Sequence, residues 1–169
     1  MRKTTSGFTI VELLIVIVVI AILAAITVVA YNGMQARARD ADRRSDLAAI
    51  AKGLKLWYVD HGDYMETGSG CGANGDGKWW FNYLYTPKSM NDCLKDAGYI
   101  SSDLKDPSGA VACASGSTRC FAYYKESCGL GTYLYVTLET LPAATNETDG
   151  TCAATMDTGY GVNYVVKVN

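Results

Sequence analysis

Residues 8–30 form a run of 23 that carries a single charge, Glu12. About 20 consecutive apolar residues cross a bilayer as a helix, so such a run must enter a membrane or be covered by other protein. A carboxylate inside that helix costs roughly 2.5–3.5 kcal/mol at the bilayer centre and less near an end. Glu12 therefore needs a partner. Arg2 and Lys3 precede the run and the next basic residue is Arg37. That distribution keeps the short N-terminus cytoplasmic and sends the remainder outward. Val28-Val29-Ala30 could serve as a signal-peptidase site. The run is nevertheless longer than the roughly 7–15 apolar residues of a secretory signal, and Glu12 fits poorly within one.

Beyond the run the sequence has room for one small domain. Residues 62–169 hold seven Lys/Arg and twelve Asp/Glu. This acidic balance disfavours non-specific nucleic-acid binding, which relies on basic groups displacing counterions, and no specific nucleic-acid partner is expected. Six cysteines, Cys71, Cys93, Cys113, Cys120, Cys128 and Cys152, all lie in this part. An even number confined to a small, loop-rich segment reads as a disulfide framework in an oxidising compartment. Metal binding is the rival, but no C-x-x-C pair occurs and His61 is the sole histidine, so the spacing of a zinc site is missing.

Six cysteines allow 15 connectivities; the expected pairs are Cys71–Cys93, Cys113–Cys120 and Cys128–Cys152. Cys113 and Cys120 flank the turn-rich ASGSTR, and Cys128–Cys152 ties a strand to its long trailing loop.

Helical periodicity continues past the apolar run. Leu47, Ile50, Leu54 and Trp57/Tyr58 recur on one face. Arg37, Arg39, Arg43, Arg44, Lys52 and Lys55, with Asp40, Asp42 and Asp46, read as a solvated face. Gly33 and Gly53 weaken the helix without ending it. A helix over residues 8–61 would be about 80 Å long. Further on, SMNDCLKDAGYI has Ser89 and Asp92 placed like a capping box for a short helix. CFAYYK, TYLYVTLET and YVVKVN have strand-like composition, with SCGLG as a hairpin turn between the first two. The expected fold is α+β: a long N-terminal helix packed against a small antiparallel sheet.

Lys3-Thr4-Thr5-Ser6-Gly7 followed by Phe8-Thr9-Ile10-Val11-Glu12 resembles the class III leader of bacterial type IV pilins and type II secretion pseudopilins. The resemblance implies cleavage by a prepilin peptidase between Gly7 and Phe8, then N-methylation of Phe8. It also implies that Glu12 pairs with the Phe8 ammonium of a neighbouring subunit during assembly. The segments become a leader (1–7), a membrane and assembly half-helix (8–30), an amphipathic half-helix (31–61) and an extracytoplasmic head (62–169). Positions where pilins of thick filaments often carry Gly and Pro hold Ala21 and Val29 here, both compatible with an unbroken helix. SDLAAIAKGLKLWYVDHGDY resembles the end of the long helix in major pseudopilins and pilins.

Enzymatic constellations are missing from the sequence. GCGANG at 70–75 matches G-x-G-x-x-G without the strand and helix that a dinucleotide site requires, so it reads as a loop. With one histidine there is little material for a Ser–His or Cys–His pair, and His61 reads as a dipole partner at a helix end. NGDG at 74–77 and NETDG at 146–150 offer oxygen ligands without EF-hand spacing. Related pseudopilins use a calcium site in a C-terminal loop, so calcium is the one cofactor left open; none other is expected. Asn146-Glu147-Thr148 is a short glycosylation-type sequon. KWWFNYLY at 78–85 reads as core packing, with an interface as the alternative.

The expected function is that of a structural subunit, not an enzyme: a type IV pilin polymerising into a helical homo-oligomeric pilus for adhesion, motility or DNA uptake. Before assembly it would sit in the inner membrane, in contact with lipid, and engage an assembly platform there. The alternatives are a pseudopilin forming a short periplasmic pseudopilus and, more distantly, a membrane-anchored extracytoplasmic binding domain.

Overall fold

The computed structural model describes residues 7–66, 68–84, 88–117, 119–142, 152 and 159–169. The chain divides into two compact units, Met1–Ala38 and Arg39–Asn169, with the division inside the first helix.

That helix, α1, runs unbroken over Ile10–His61. It starts two residues later than its apolar composition suggests, because Thr9 caps it. The Glu12 amide donates to Thr9 Oγ1 (3.2 Å), and the Thr9 amide donates to Glu12 Oε2 (2.8 Å). This reciprocal pair satisfies two backbone donors that a helix start leaves orphaned. His61 closes the helix, with its Nδ1 3.1 Å from the Trp57 carbonyl and its ring stacked on the Trp57 indole.

In the second unit an antiparallel sheet has the order β1-β2-β3-β4: Trp79–Trp80, Tyr124–Cys128, Gly131–Val136 and Tyr164–Lys167. The SCGLG turn makes the expected hairpin, with Cys128 opposite Gly131. The strand before it is displaced from the expected one: β2 is YKESC, and Cys120–Tyr123 precede it. The two-residue turn fixes the register, and register decides which residues pair. β1 has only two residues, both read from sequence as packing aromatics.

Alternation along the strands gives the sheet two covered faces. Tyr123, Leu134, Val136, Tyr164 and Val166 face one core together with Leu47, Ile50, Leu54 and Trp57 of α1. Tyr133, Tyr135, Tyr124 and Val165 face a second core with Trp80, Cys120 and Val162. Leu47, Ile50 and Leu54 are fully buried, whereas Tyr58 lies outside that core and stacks on Tyr64. The short helix α2, Met90–Asp96, has Ser89 as its N-cap, accepting from the Asp92 amide at 3.1 Å. Three disulfides staple the unit: Cys71–Cys93, Cys113–Cys120 and Cys128–Cys152. Cys71–Cys93 ties the segment after α1 to α2; Cys113–Cys120 lies in the second core.

Candidate processing and assembly segment

Gly7 and Phe8 lie just ahead of the cap and outside the helix. Phe8 is 85% exposed, and a Cβ at Gly7 would meet nothing within 4 Å. Packing among the described residues does not require a glycine there. Hydrolysis there would place an ammonium on Phe8, one residue before the N-cap. The positive end of the helix dipole opposes that charge, and a carboxylate in the first turn offsets it.

Glu12 is that carboxylate. One oxygen, Oε2, accepts from both the Thr9 amide (2.8 Å) and the Thr9 hydroxyl (2.7 Å). Both bonds use Oε2, and among the described residues no donor reaches the other carboxylate oxygen. The sequence reading assigned Glu12 a partner on another subunit and missed this local one, although T-x-x-E is the spacing of a capping box.

The remaining apolar half of α1 lacks a covering layer in the single chain. Ile10 is 84% exposed, and the large apolar side chains through Val28 are exposed as well. Thr27 turns its hydroxyl back to the Leu23 carbonyl (2.8 Å), hiding the polar group within the helix. The helix is long and apolar enough to cross a membrane.

The second half of α1 is built oppositely. Arg43 is fully buried and donates to Asp106 (2.6 Å), Asp40 (2.9 Å) and Glu139 (2.7 Å), with Phe121 stacked on the guanidinium. Arg39 forks onto the two oxygens of Glu139 at 2.7 and 2.6 Å. Asp40, also buried, accepts from the Glu139 and Thr140 amides and the Thr140 hydroxyl. Burial alone would lower the Arg43 pKa; the hydrogen bonds of Asp106, Glu139 and Asp40 outweigh it and hold the guanidinium charged. Hydrogen bonding from Arg39, helped by Arg43, holds the Glu139 carboxyl at about 2 despite burial. This corrects the solvated-face reading for Arg39, Arg43 and Asp40. Asp46 departs from it too: it is half-buried and accepts from the Tyr123 hydroxyl (2.7 Å), with burial pushing its pKa up.

The loop candidates divide. GCGANG is a loop containing a 3₁₀ turn at Ala73–Gly75. KWWFNYLY splits, with Trp80 and Phe81 buried and Trp79, Tyr83 and Leu84 exposed. Among the described residues no group of three or more His, Cys, Asp or Glu is placed to hold a metal. NETDG and the Asn146 sequon lie outside the described residues.

The prokaryotic N-terminal methylation motif matches residues 2–28, which include Gly7, Phe8 and Glu12. The type II secretion system core protein G of Dickeya chrysanthemi is 30% identical over 110 residues, 65% of this chain and 67% of that protein. The corresponding protein of Aeromonas hydrophila is 30% identical over 110 residues, 64% of this chain and 71% of that protein. The chain belongs to the type IV pilin and pseudopilin family.

A pilin of the family, the type IV major pilin protein PilE1 of Neisseria gonorrhoeae, is 36% identical over 77 residues, 43% of this chain and 44% of that protein. No solved structure matches. Within this pilin and pseudopilin family, the long apolar-ended helix and the small antiparallel sheet are what the leader resemblance implied. Membership also fits an apolar surface of membrane-spanning length.

Proposed function

We propose that this chain is a structural subunit that is anchored in the inner membrane by α1, cleaved between Gly7 and Phe8, N-methylated at Phe8 and polymerised into a helical filament. The observation that carries this is the juxtaposition at the start of α1. An exposed Gly7-Phe8 pair adjoins the Thr9–Glu12 cap, and an apolar helix surface that no described residue covers follows. In the filament, Glu12 pairs with the Phe8 ammonium of a neighbouring copy, at the same depth and in a medium of low dielectric. A prepilin peptidase and an inner-membrane assembly platform are the implied partners. No catalytic role is assigned to any residue.

Of the two filaments, we favour a type IV pilus, because three disulfides staple a head of about a hundred residues for life outside the cell. The second reading, a periplasmic pseudopilus, rests on the protein G matches, which run over 110 residues and so reach into the head. Intact-mass and N-terminal analysis of the membrane-extracted protein tests the shared part; the expected start is N-methylated Phe8, and a start near Tyr31 refutes it. Immunogold labelling of intact cells then separates the two: long surface fibres mean a pilus, and their absence with periplasmic labelling means a pseudopilus.

A further inference from the structure

Lys125 occupies a position in β2 where an apolar residue would be expected. It pairs with Leu134 of β3, and the same sheet face carries Tyr123 and Val136 of the core against α1. Yet Lys125 is completely buried. Helix α1 ends at His61, and beyond that end the described residues 62–66 and 68–78 include the two, Met65 and Gly77, that meet this stretch of the sheet instead. The Lys125 Nζ meets them there, donating to the Met65 carbonyl (3.0 Å), the Gly77 carbonyl (2.5 Å) and Ser127 Oγ (3.3 Å). An ammonium has three N–H donors, and all three are engaged.

We propose that the Met65 carbonyl, the Gly77 carbonyl and Ser127 Oγ form an intramolecular cation site, that the Lys125 ammonium is its resident cation, and that the chain on either side of Met65 and Gly77 is held in place by it. Three observations converge. First, the two carbonyls come from opposite arms of the segment and are held where chain-to-chain contact is very close. A Cβ at Gly77 would lie 1.6 Å from the Met65 oxygen, so only glycine fits. Second, both residues sit in the left-handed region, Gly77 at φ 60° and Met65 at φ 59°. That conformation is uncommon for methionine and persists only when the surroundings impose it. Third, a cavity of about 110 Å³ beside the ammonium is lined by Glu66, Asp76 and Glu126, with Lys78 as the other cation. Burial pulls the Lys125 pKa down to about 8, and Glu66, Glu126 and, from farther along the same segment, Asp63 oppose that fall. Converging carbonyl dipoles with carboxylates behind them make an environment that needs positive charge at its centre.

The rival reading is an inert buried lysine that methionine could replace, since buried charges often yield to apolar residues of similar volume without loss. The test is amide hydrogen exchange over residues 62–78 in the full-length mature protein in detergent, with the Cys71–Cys93 disulfide intact. Lys125→Met should lower protection of this segment by about tenfold or more while β3 and β4 exchange as in the parent. Lys125→Ala should lose protection likewise and regain it with millimolar ethylammonium or calcium, to which the parent does not respond. Full protection in Lys125→Met overturns the proposal, and so does failure of ethylammonium, sodium and calcium alike to restore Lys125→Ala. Where the variants do not fold, competitive acetylation of the parent can still overturn the proposal. Lys125 should react at least about tenfold more slowly than the exposed Lys88 and Lys105, and equal reactivity overturns the proposal.

Discussion

In the first half of α1, Glu12 is hydrogen-bonded among the described residues to Thr9, three residues away, and its surroundings are exposed apolar side chains. In the second half, Asp40 and Arg43 are buried, and residues nearly a hundred positions away in sequence complete their shell. One continuous helix thus treats charge in two ways. The second unit buries Asp40, Arg43 and Asp106 and pairs them with one another and with Glu139. Among the described residues, the N-terminal half gives its one carboxylate hydrogen bonds at a single oxygen. An incomplete polar group on an apolar surface is a cost to a single chain and a means of recognition to an assembling one.

The sharpest way to break this comparison is Glu12→Ala. If the open oxygen of Glu12 serves assembly, the substitution should nearly abolish filaments while membrane insertion stays intact or improves. Cell fractionation with filament counts measures both; parental filament numbers would show that the first half needs no polar recognition. The second half should respond through stability. Arg43→Met leaves Asp40, Asp106 and Glu139 without their common cation, and removing one partner of a buried pair costs about 3–5 kcal/mol. Denaturant unfolding of the head should register that loss, with leader cleavage unchanged.

The contrast also reflects what the sequence made legible. Leu47, Ile50 and Leu54 were readable because period 3.6 marks a core face without knowledge of what covers it. Arg43 and Asp40 were not, since their partners Asp106 and Glu139 lie in loops far along the chain and the local pattern equals that of a solvated face. Ser89 and Asp92 announced α2 because a capping box is local chemistry. The same logic at Thr9 and Glu12 was legible and was overlooked, as the carboxylate in an apolar run drew attention to distant partners. β1 escaped notice since two residues carry no period, and Trp79 takes a positive φ of 76°. Lys125 carries no signal of its own in the sequence, because the carbonyls that hold it belong to a loop whose path depends on the fold.

Acid should separate the two regions further. Glu139 has a folded pKa of about 2 against an ordinary value of 4.5. Its contribution is therefore fully present above about pH 4.5 and is lost as pH falls towards 2. Asp103, held at about 2 by Lys95, Lys105 and Asn91, acts in the same direction. Asp46, raised by burial, opposes them. The head should lose stability progressively between about pH 4.5 and 2, followed by thermal unfolding, and Glu139→Gln should flatten that dependence. A pH-independent melting temperature across this window would mean that the ion network contributes no net stability.

The smallest effect compares two glycines of one helix. Alanine is preferred over glycine in a helix interior by about 0.8–1 kcal/mol. At Gly33 an added Cβ meets nothing within 4 Å, so Gly33→Ala should gain helicity in the detergent-solubilised monomer and leave head stability unchanged. At Gly53 the same Cβ would lie 3.1 Å from both Ile100 Cγ2 and Leu94 Cδ1. These contacts are tighter than ordinary packing, and Leu94 and Ile100 belong to the core beneath α1. Overpacking costs about 1–3 kcal/mol and should cancel or exceed the helix-propensity gain. Gly53→Ala is thus expected to be neutral to destabilising by about 1 kcal/mol in denaturant unfolding of the head. Stabilisation by the full propensity difference would mean that the core gives way at Leu94 and Ile100, and that the two halves of α1 differ in charge but not in packing.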